Sequence, residues 1–210
     1  MSWLLLKRDI MLSARRGGGM WSALAFCLIV FCVFAFSLGP EALAANAARV
    51  LAVSVLLACL MALPGLFERD FEDGTLEQYL VQPHALEWVM LAKLCAFWFA
   101  CALPLIVLTP LLALMGGLSV MGAESLVVAL LLATPTLIAM GAVGAALTLG
   151  LRKGSMVSAL VVLPLYIPPL IFTVMAMESE AALLLLAGML LAVVPVACLL
   201  CAALVRLTAD

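Results

Sequence analysis

Residues 125–151 read SLVVALLLATPTLIAMGAVGAALTLGL, twenty-seven positions without one Asp, Glu, Lys or Arg. A helix needs about 20 apolar residues to cross about 30 Å of hydrocarbon. Five further windows are equally free of charge: 17–40, 50–67, 94–123, 154–177 and 181–205. Each is long enough to cross once and too short to cross, turn and return. Backbone groups inside lipid must bond within their own segment, so these windows predict helices. Alternation of short strands, the mark of a membrane barrel, is missing. The expectation is an all-α integral membrane protein, one domain over 1–210, with six spans at about 20–38, 47–67, 86–115, 125–151, 155–177 and 181–205.

The remaining composition agrees. The 210-residue chain is 68% hydrophobic and 10% charged, and its mean hydropathy is +1.34. A soluble domain is nearer half apolar and a quarter charged. The 22 charges cannot clothe a water-soluble surface, and no room is left for a large soluble domain beside the spans. A self-contained polymerase or nucleotidase is excluded on that ground, and no nucleic-acid partner is expected.

Orientation follows from Lys and Arg. With the N-terminus inside, the inner segments hold Lys7, Arg8, Arg15, Arg16, Arg69, Lys93, Arg152, Lys153 and Arg206, and the outer loops hold Arg49 alone. This asymmetry places both termini in the cytoplasm. Residues 1–19 mix basic side chains with Trp3, Leu4, Leu5, Leu6, Ile10, Met11 and Leu12, a pattern suited to an interfacial helix on the membrane lipid. Ala42-Leu43-Ala44 resembles a signal-peptide cleavage site, and cleavage there would leave five spans. The apolar run before it is longer than a signal peptide needs, so the first span is read as retained.

Seven cysteines, all in apolar windows, form an odd set in a packing environment, and disulfides are not expected. Cys198 and Cys201 match C-x-x-C without a redox fold around them. Span 5 carries Pro164, Pro168 and Pro169, each of which removes a backbone donor; this marks a possible gate or pathway that faces a partner helix or a cavity. Gly141, Gly144 and Ala145 lie at helical spacing on span 4 and suit close helix packing.

Between spans 2 and 3 runs Phe67-Glu68-Arg69-Asp70-Phe71-Glu72-Asp73-Gly74-Thr75-Leu76-Glu77-Gln78-Tyr79-Leu80, with five carboxylates and one arginine. Catalytic carboxylates need a pocket that shifts their pKa values, and a solvated loop provides none. The spacing is not an EF-hand, and no metal site is expected. The mixture of acidic, aromatic and aliphatic residues suits a docking surface, with Gly74 as a break before a short amphipathic helix that Thr75 would cap. The chain has no G-x-x-x-x-G-K-[ST] phosphate loop. The spans hold almost no ionisable groups of the kind that ion-coupled transporters use. An external motor docking on this loop is the reading that remains, with no catalytic residue of the chain's own.

At this loop the sequence resembles the CcmB family, the membrane subunit of the heme-exporter ABC transporter of cytochrome c maturation. The likeness rests on residues 66–78, Pro83, Leu91-Ala92-Lys93, Ser37-Leu38-Gly39-Pro40-Glu41, Leu103-Pro104-Leu105, Thr134-Pro135-Thr136-Leu137, Ala146-Leu147-Thr148, Leu163-Pro164-Leu165 and Leu170-Ile171-Phe172. It covers about residues 1–206 in order. The turn at Glu178-Ser179-Glu180 looks shorter than in some relatives. The resemblance implies an ABC transporter permease in the bacterial inner membrane, in two copies per complex, with partners CcmA (the ATPase), CcmC, CcmD and the periplasmic heme chaperone CcmE. It implies ATP on the partner subunit, heme as cargo, and no cofactor bound directly by this chain. By position, Phe67, Glu68, Arg69, Asp70, Phe71, Asp73, Gly74, Leu76, Glu77 and Gln78 would form the ATPase-coupling element. The sole histidine, His84, is not on the outer side, which fits heme ligands supplied by a partner; Met121, Met175 and Met177 read as packing residues. A generic export permease for another substrate and a non-transporting scaffold share this architecture and stay open.

Overall fold

The computed structural model describes residues 18–67, 70–71, 73–75, 86–149 and 154–207. The expected interfacial helix at 1–19 and the basic turn at Arg152-Lys153 lie outside these residues, apart from positions 18 and 19 at the head of the first helix. The described residues are helical and hold no strand. In chain order the helices are α1 (Gly18–Leu38), α2 (Pro40–Ala62), α3 (Leu86–Phe97), α4 (Leu103–Met115), α5 (Val120–Leu147), α6 (Gly154–Met175) and α7 (Glu180–Leu207). A 3-10 turn, Leu63–Leu66, extends α2. A π turn, Trp98–Ala102, welds α3 and α4 into one rod.

Five segments among the described residues are long and apolar enough to cross a membrane: Met20–Leu38, Pro40–Ala62, Leu86–Met115, Val120–Leu147 and Glu180–Leu207. The window expected as span 5 forms α6, whose apolar stretch among the described residues is the shorter Val162–Met175.

Helix ends differ from the charge-bounded windows for reasons that local chemistry supplies. α2 begins at Pro40, where the sequence suggested an outer loop up to residue 47. Proline suits a first helical position, because its missing N–H would have no partner there. Gly39 takes φ +75°, and its carbonyl accepts the first helical bond from Leu43 N–H at 3.0 Å. Arg49 and the Ala42–Ala44 stretch therefore lie on a helix, with Leu43 buried. At the other end, α2 stops at Ala62, and the 3-10 turn carries the chain to Phe67. α5 begins five residues before its expected start because Ser119 Oγ accepts from Gly122 N–H at 3.2 Å, a helix cap. The turn before it is a Schellman motif: Leu118 N–H donates to Ala113 O at 3.0 Å and Gly117 N–H to Leu114 O at 3.1 Å, with Gly117 at φ +88°.

α5 is the central helix; it packs against α7, α6, α4, α2 and α3, while α1 packs chiefly against α2. Leu51, Val55, Leu105, Leu126, Leu130 and Ile138 fill the core between these helices. Hydroxyls inside it bond to the preceding turn of their own helix. Ser54 donates to Val50 O, Thr109 to Leu105 O and Thr173 to Pro169 O, at 2.7, 2.9 and 2.7 Å. Such bonds satisfy a polar group without water. The rod α3–α4 breaks its α pattern where Pro104 would meet the carbonyl four residues back. The π turn resolves that conflict by sending Leu103 N–H to Trp98 O, one residue farther than an α bond. Trp98 Nε1–H then reaches across to Thr134 Oγ1 of α5 at 2.9 Å.

Candidate functional site

The acidic loop leaves the bundle through a built junction. Phe67 is fully buried, and its carbonyl accepts from Phe71 N–H at 3.0 Å, closing one helical turn outside the 3-10 segment. Gly74 N–H returns to Phe71 O at 3.3 Å. Gly74 holds φ +68°, a left-handed conformation that costs other residues and is unstrained for glycine. A side chain at Gly74 would meet nothing within 4 Å, so the requirement for glycine there lies in the backbone alone.

Lys93, on the second turn of α3, organises this junction. It is only 7% exposed. Its Nζ pairs with Asp70, donates to Leu66 O at 3.0 Å and sits 5.3 Å from the centre of the Phe67 ring. A buried ammonium is tolerable only when its donors are used. Here a carboxylate, a carbonyl freed at the end of the 3-10 turn and an aromatic face use them together. Three groups of the loop's proximal end are thereby tied to one side chain of α3. Farther along that face of the molecule, Arg206 donates to Glu87 Oε1 at 2.9 Å, joining the end of α7 to the start of α3.

The ten residues expected to couple to an ATPase fall into three groups. Phe67 and Asp70 turn into the bundle. Phe71 and Asp73 are exposed, with Gly74 half-buried between inner and outer faces. Glu68, Arg69, Leu76, Glu77 and Gln78 lie outside the described residues, as does most of the amphipathic helix expected after Gly74. Sequence reasoning counts Lys93 only as one more positive charge on the inner side and misses its role here. The signal that could have found it is a lone cation seven residues into an apolar helix, which demands a partner.

The proline segment of α6 divides as well. Pro164 and Pro168 lie on the exposed side and Pro169 faces the bundle, its carbonyl held by Thr173. Between them Tyr166 is fully buried. On α5, Gly141, Gly144 and Ala145 are buried. A Cβ on Gly141 would overlap Leu63 of the 3-10 turn and come within 2.6 Å of Tyr166 Oη. Gly141 is therefore the point where α5 passes between the end of α2 and the proline-rich helix. A continuous set of contacts runs from Tyr166 over Gly141 to Leu63, along the 3-10 turn to Leu66, and through Lys93 to Asp70.

No group of three or more His, Cys, Asp or Glu that could hold a metal occurs among the described residues, and all seven cysteines are free thiols. What the junction shows is a set of contacts between the start of the acidic loop and the helices behind it, made by Lys93 with Asp70, the Leu66 carbonyl and the Phe67 ring.

Comparison with known proteins finds relatives along nearly the whole sequence. The profile of the CcmB protein family matches residues 1–208. The chain is 45% identical to heme exporter protein B of Escherichia coli strain K12 over 183 residues, which cover 86% of this chain and 83% of that protein. It is 42% identical to heme exporter protein B of Paracoccus denitrificans over 180 residues, 85% of this chain and 83% of that one. The protein of the same name from Pseudomonas aeruginosa is 42% identical over 179 residues, 84% and 80% of the two chains. With its long apolar helices, and with these relatives, the chain is a multi-pass protein of the bacterial inner membrane, and it belongs to the CcmB protein family.

Proposed function

We propose that this chain is the permease subunit of an ATP-driven heme-exporter complex that serves cytochrome c maturation. In this reading it crosses the membrane six times with both termini in the cytoplasm, and α6 is the fifth crossing. It works in two copies with an ATPase partner, CcmA, which holds and hydrolyses ATP, and with CcmC, CcmD and the heme chaperone CcmE. Heme is the cargo whose loading onto, or release with, the chaperone depends on the complex. Family membership, and relatives named as heme exporters, support the heme assignment.

The observation that carries the coupling mechanism is the Lys93 junction. The acidic loop is the docking element for the ATPase. Its exposed residues, Phe71 and Asp73, meet the partner, and its inward residues, Phe67 and Asp70, transmit displacement. Movement of the loop pulls on Lys93 and hence on α3, and it presses through the 3-10 turn and Leu63 on the α5–α6 contact at Gly141. Tightly packed contacts of this kind shift between discrete arrangements and do not deform smoothly. The prolines of α6 supply a helix able to bend in response.

Peroxidase staining of periplasmic c-type cytochromes, in a deletion strain with and without the chain, tests the heme assignment. Selective loss of holo-cytochrome c, restored by the chain, is the expected result. An unchanged stain would replace the reading by an export permease for a different substrate. Coupling is tested by Gly74→Pro, which should leave the protein in the membrane at normal abundance while abolishing holo-cytochrome c. Normal retention of CcmA together with normal activity in that variant would remove the loop from the mechanism.

A further inference from the structure

A crevice of about 390 Å³ lies between α3, α5 and α7. Leu91 and Trp98 form one wall, Pro135 and Ile138 the second, and Leu190 and Val194 the third. Its other lining side chains are also apolar, apart from the Cys95 thiol. The indole N–H of Trp98, the strongest donor in the lining, is already spent on Thr134. A ligand here finds surface to bury and almost nothing to bond. The volume is that of a ligand site. The exposed faces of Cys95 and Phe99 place its opening on the flank of the bundle.

The surroundings state which ligand fits. Along α3, the crevice begins four residues from Glu87 and ends at Phe99, so it occupies a depth of about 6 to 18 Å at 1.5 Å per residue. At the level of Glu87 stand Trp88, 69% exposed, and Arg206, 55% exposed and held by Glu87. An exposed tryptophan beside a cation marks the headgroup level of a membrane. Arg206 has five N–H donors, one hydrogen bond to Glu87 Oε1 at 2.9 Å and a side chain that is more than half exposed. An apolar slot that begins about 6 Å below the level of Glu87 along α3 and opens sideways at Cys95 and Phe99 is complementary to a phospholipid: phosphate at the exposed Arg206, hydrocarbon along Trp98 and Pro135.

We infer that the α3–α5–α7 crevice is a binding site for one acyl chain of an anionic phospholipid whose headgroup lies at Arg206. Membrane insertion alone is enough for this inference; the six-span reading enters only in assigning the lipid to the cytoplasmic leaflet. A lipid tail in this slot touches Pro135 of α5 and the π turn of the α3–α4 rod, where that rod departs from regular α geometry, and so acts as a wedge that holds their spacing.

The test uses the complex purified whole and placed in vesicles of phosphatidylethanolamine and phosphatidylglycerol, with a phosphatidylglycerol probe bearing a diazirine in its acyl chain. After irradiation, cross-linked peptides are mapped by mass spectrometry. Labelling is expected to concentrate within 91–99, 131–138 and 190–194. It should fall several-fold in Leu190→Trp, and equally in Val194→Trp, while labelling of the exposed Phe36 stays constant. Arg206→Gln should lower crevice labelling by the phosphatidylglycerol probe several-fold and leave labelling by a phosphatidylethanolamine probe unchanged. Labelling spread evenly over all exposed apolar faces would overturn the site. So would protection of the crevice in the whole complex but not in the isolated chain, which would mean that a partner's helix fills it. An Arg206→Gln result identical for both probes would overturn the headgroup assignment. Heme staining is independent of all these readouts, so failure of the transport reading and failure of the lipid site are separately visible.

Discussion

α5 and α7 are both 28 residues long, both carry one internal proline, and both are charged only near their ends. Yet 61% of the apolar window of α5 is buried against 17% of that of α7. Hydrophobicity cannot have sorted them, because lipid tails are as apolar as leucine and give no drive for one apolar helix to hide from another. Small residues and interhelical hydrogen bonds decide instead. α5 carries Ala129, Ala133, Gly141, Gly144 and Ala145 on its buried side, and Thr134 where Trp98 can bond to it. α7 presents Leu184, Leu191 and Leu199 outward, and only its narrow Ala182, Leu186, Ala197, Cys198, Cys201, Ala202 and Val205 face is buried. Inside and outside are thus written in side-chain size along helices of equal polarity.

The sharpest way to break this comparison is to exchange a glycine for leucine on each helix. Gly141→Leu must displace Leu63 and Tyr166 together, and its accumulation in the membrane is expected to collapse. A methyl group added at Gly188 on α7 would meet nothing within 4 Å, and Gly188→Leu should accumulate normally. Immunoblots of washed membranes compare the two; equal levels would refute the account of α5. Next in size is Lys93→Ala, which strands Asp70 and the Leu66 carbonyl. Breaking a buried pair costs about 3–5 kcal/mol; with Asp70 partly exposed, the low end applies. Thermal melting in detergent should show a clear drop, and Asp70→Asn combined with Lys93→Met should recover part of it. A smaller effect is expected for Trp98→Phe, which removes one interhelical hydrogen bond worth about 0.6 kcal/mol. Adding Thr134→Val to that variant should then change little. Smallest of all, Leu191→Ala and Leu199→Ala on the exposed face of α7 should leave melting unchanged, since each exchanges lipid contact for lipid contact.

The helices were legible in the sequence because charge is expensive in hydrocarbon, and a charge-free window of sufficient length has few alternatives. Their ends were less so. Charges mark where a membrane stops, whereas helices stop at caps. Pro40 opens a helix where the window placed a loop, and Ser119 opens one ahead of Glu124, which simply rides exposed on the helix. The candidate site was legible as a surface and not as a junction. The acidic loop announces itself by its composition, but the lysine that ties it down sits 27 residues beyond Leu66. Nothing local connects the two, and only folding brings the carbonyl and the ammonium together. The π turn was likewise hidden: Pro104 follows it, but Pro110, Pro135 and Pro195 sit in unbroken α-helix, so a proline alone does not announce one.

α1 ends at Leu38 and α2 begins at Pro40, so Gly39 alone reverses the chain. At φ +75° with nothing within 4 Å of its missing side chain, Gly39 is constrained by the path of the backbone and not by space. The consequence is one of assembly. A connection of one residue leaves no free peptide on that side for a reporter insertion, and it cannot let the first helix settle while the second waits. Gly18 to Ala62 is thus expected to enter the bilayer as one hairpin, with integration of the first helix timed by the synthesis of the second.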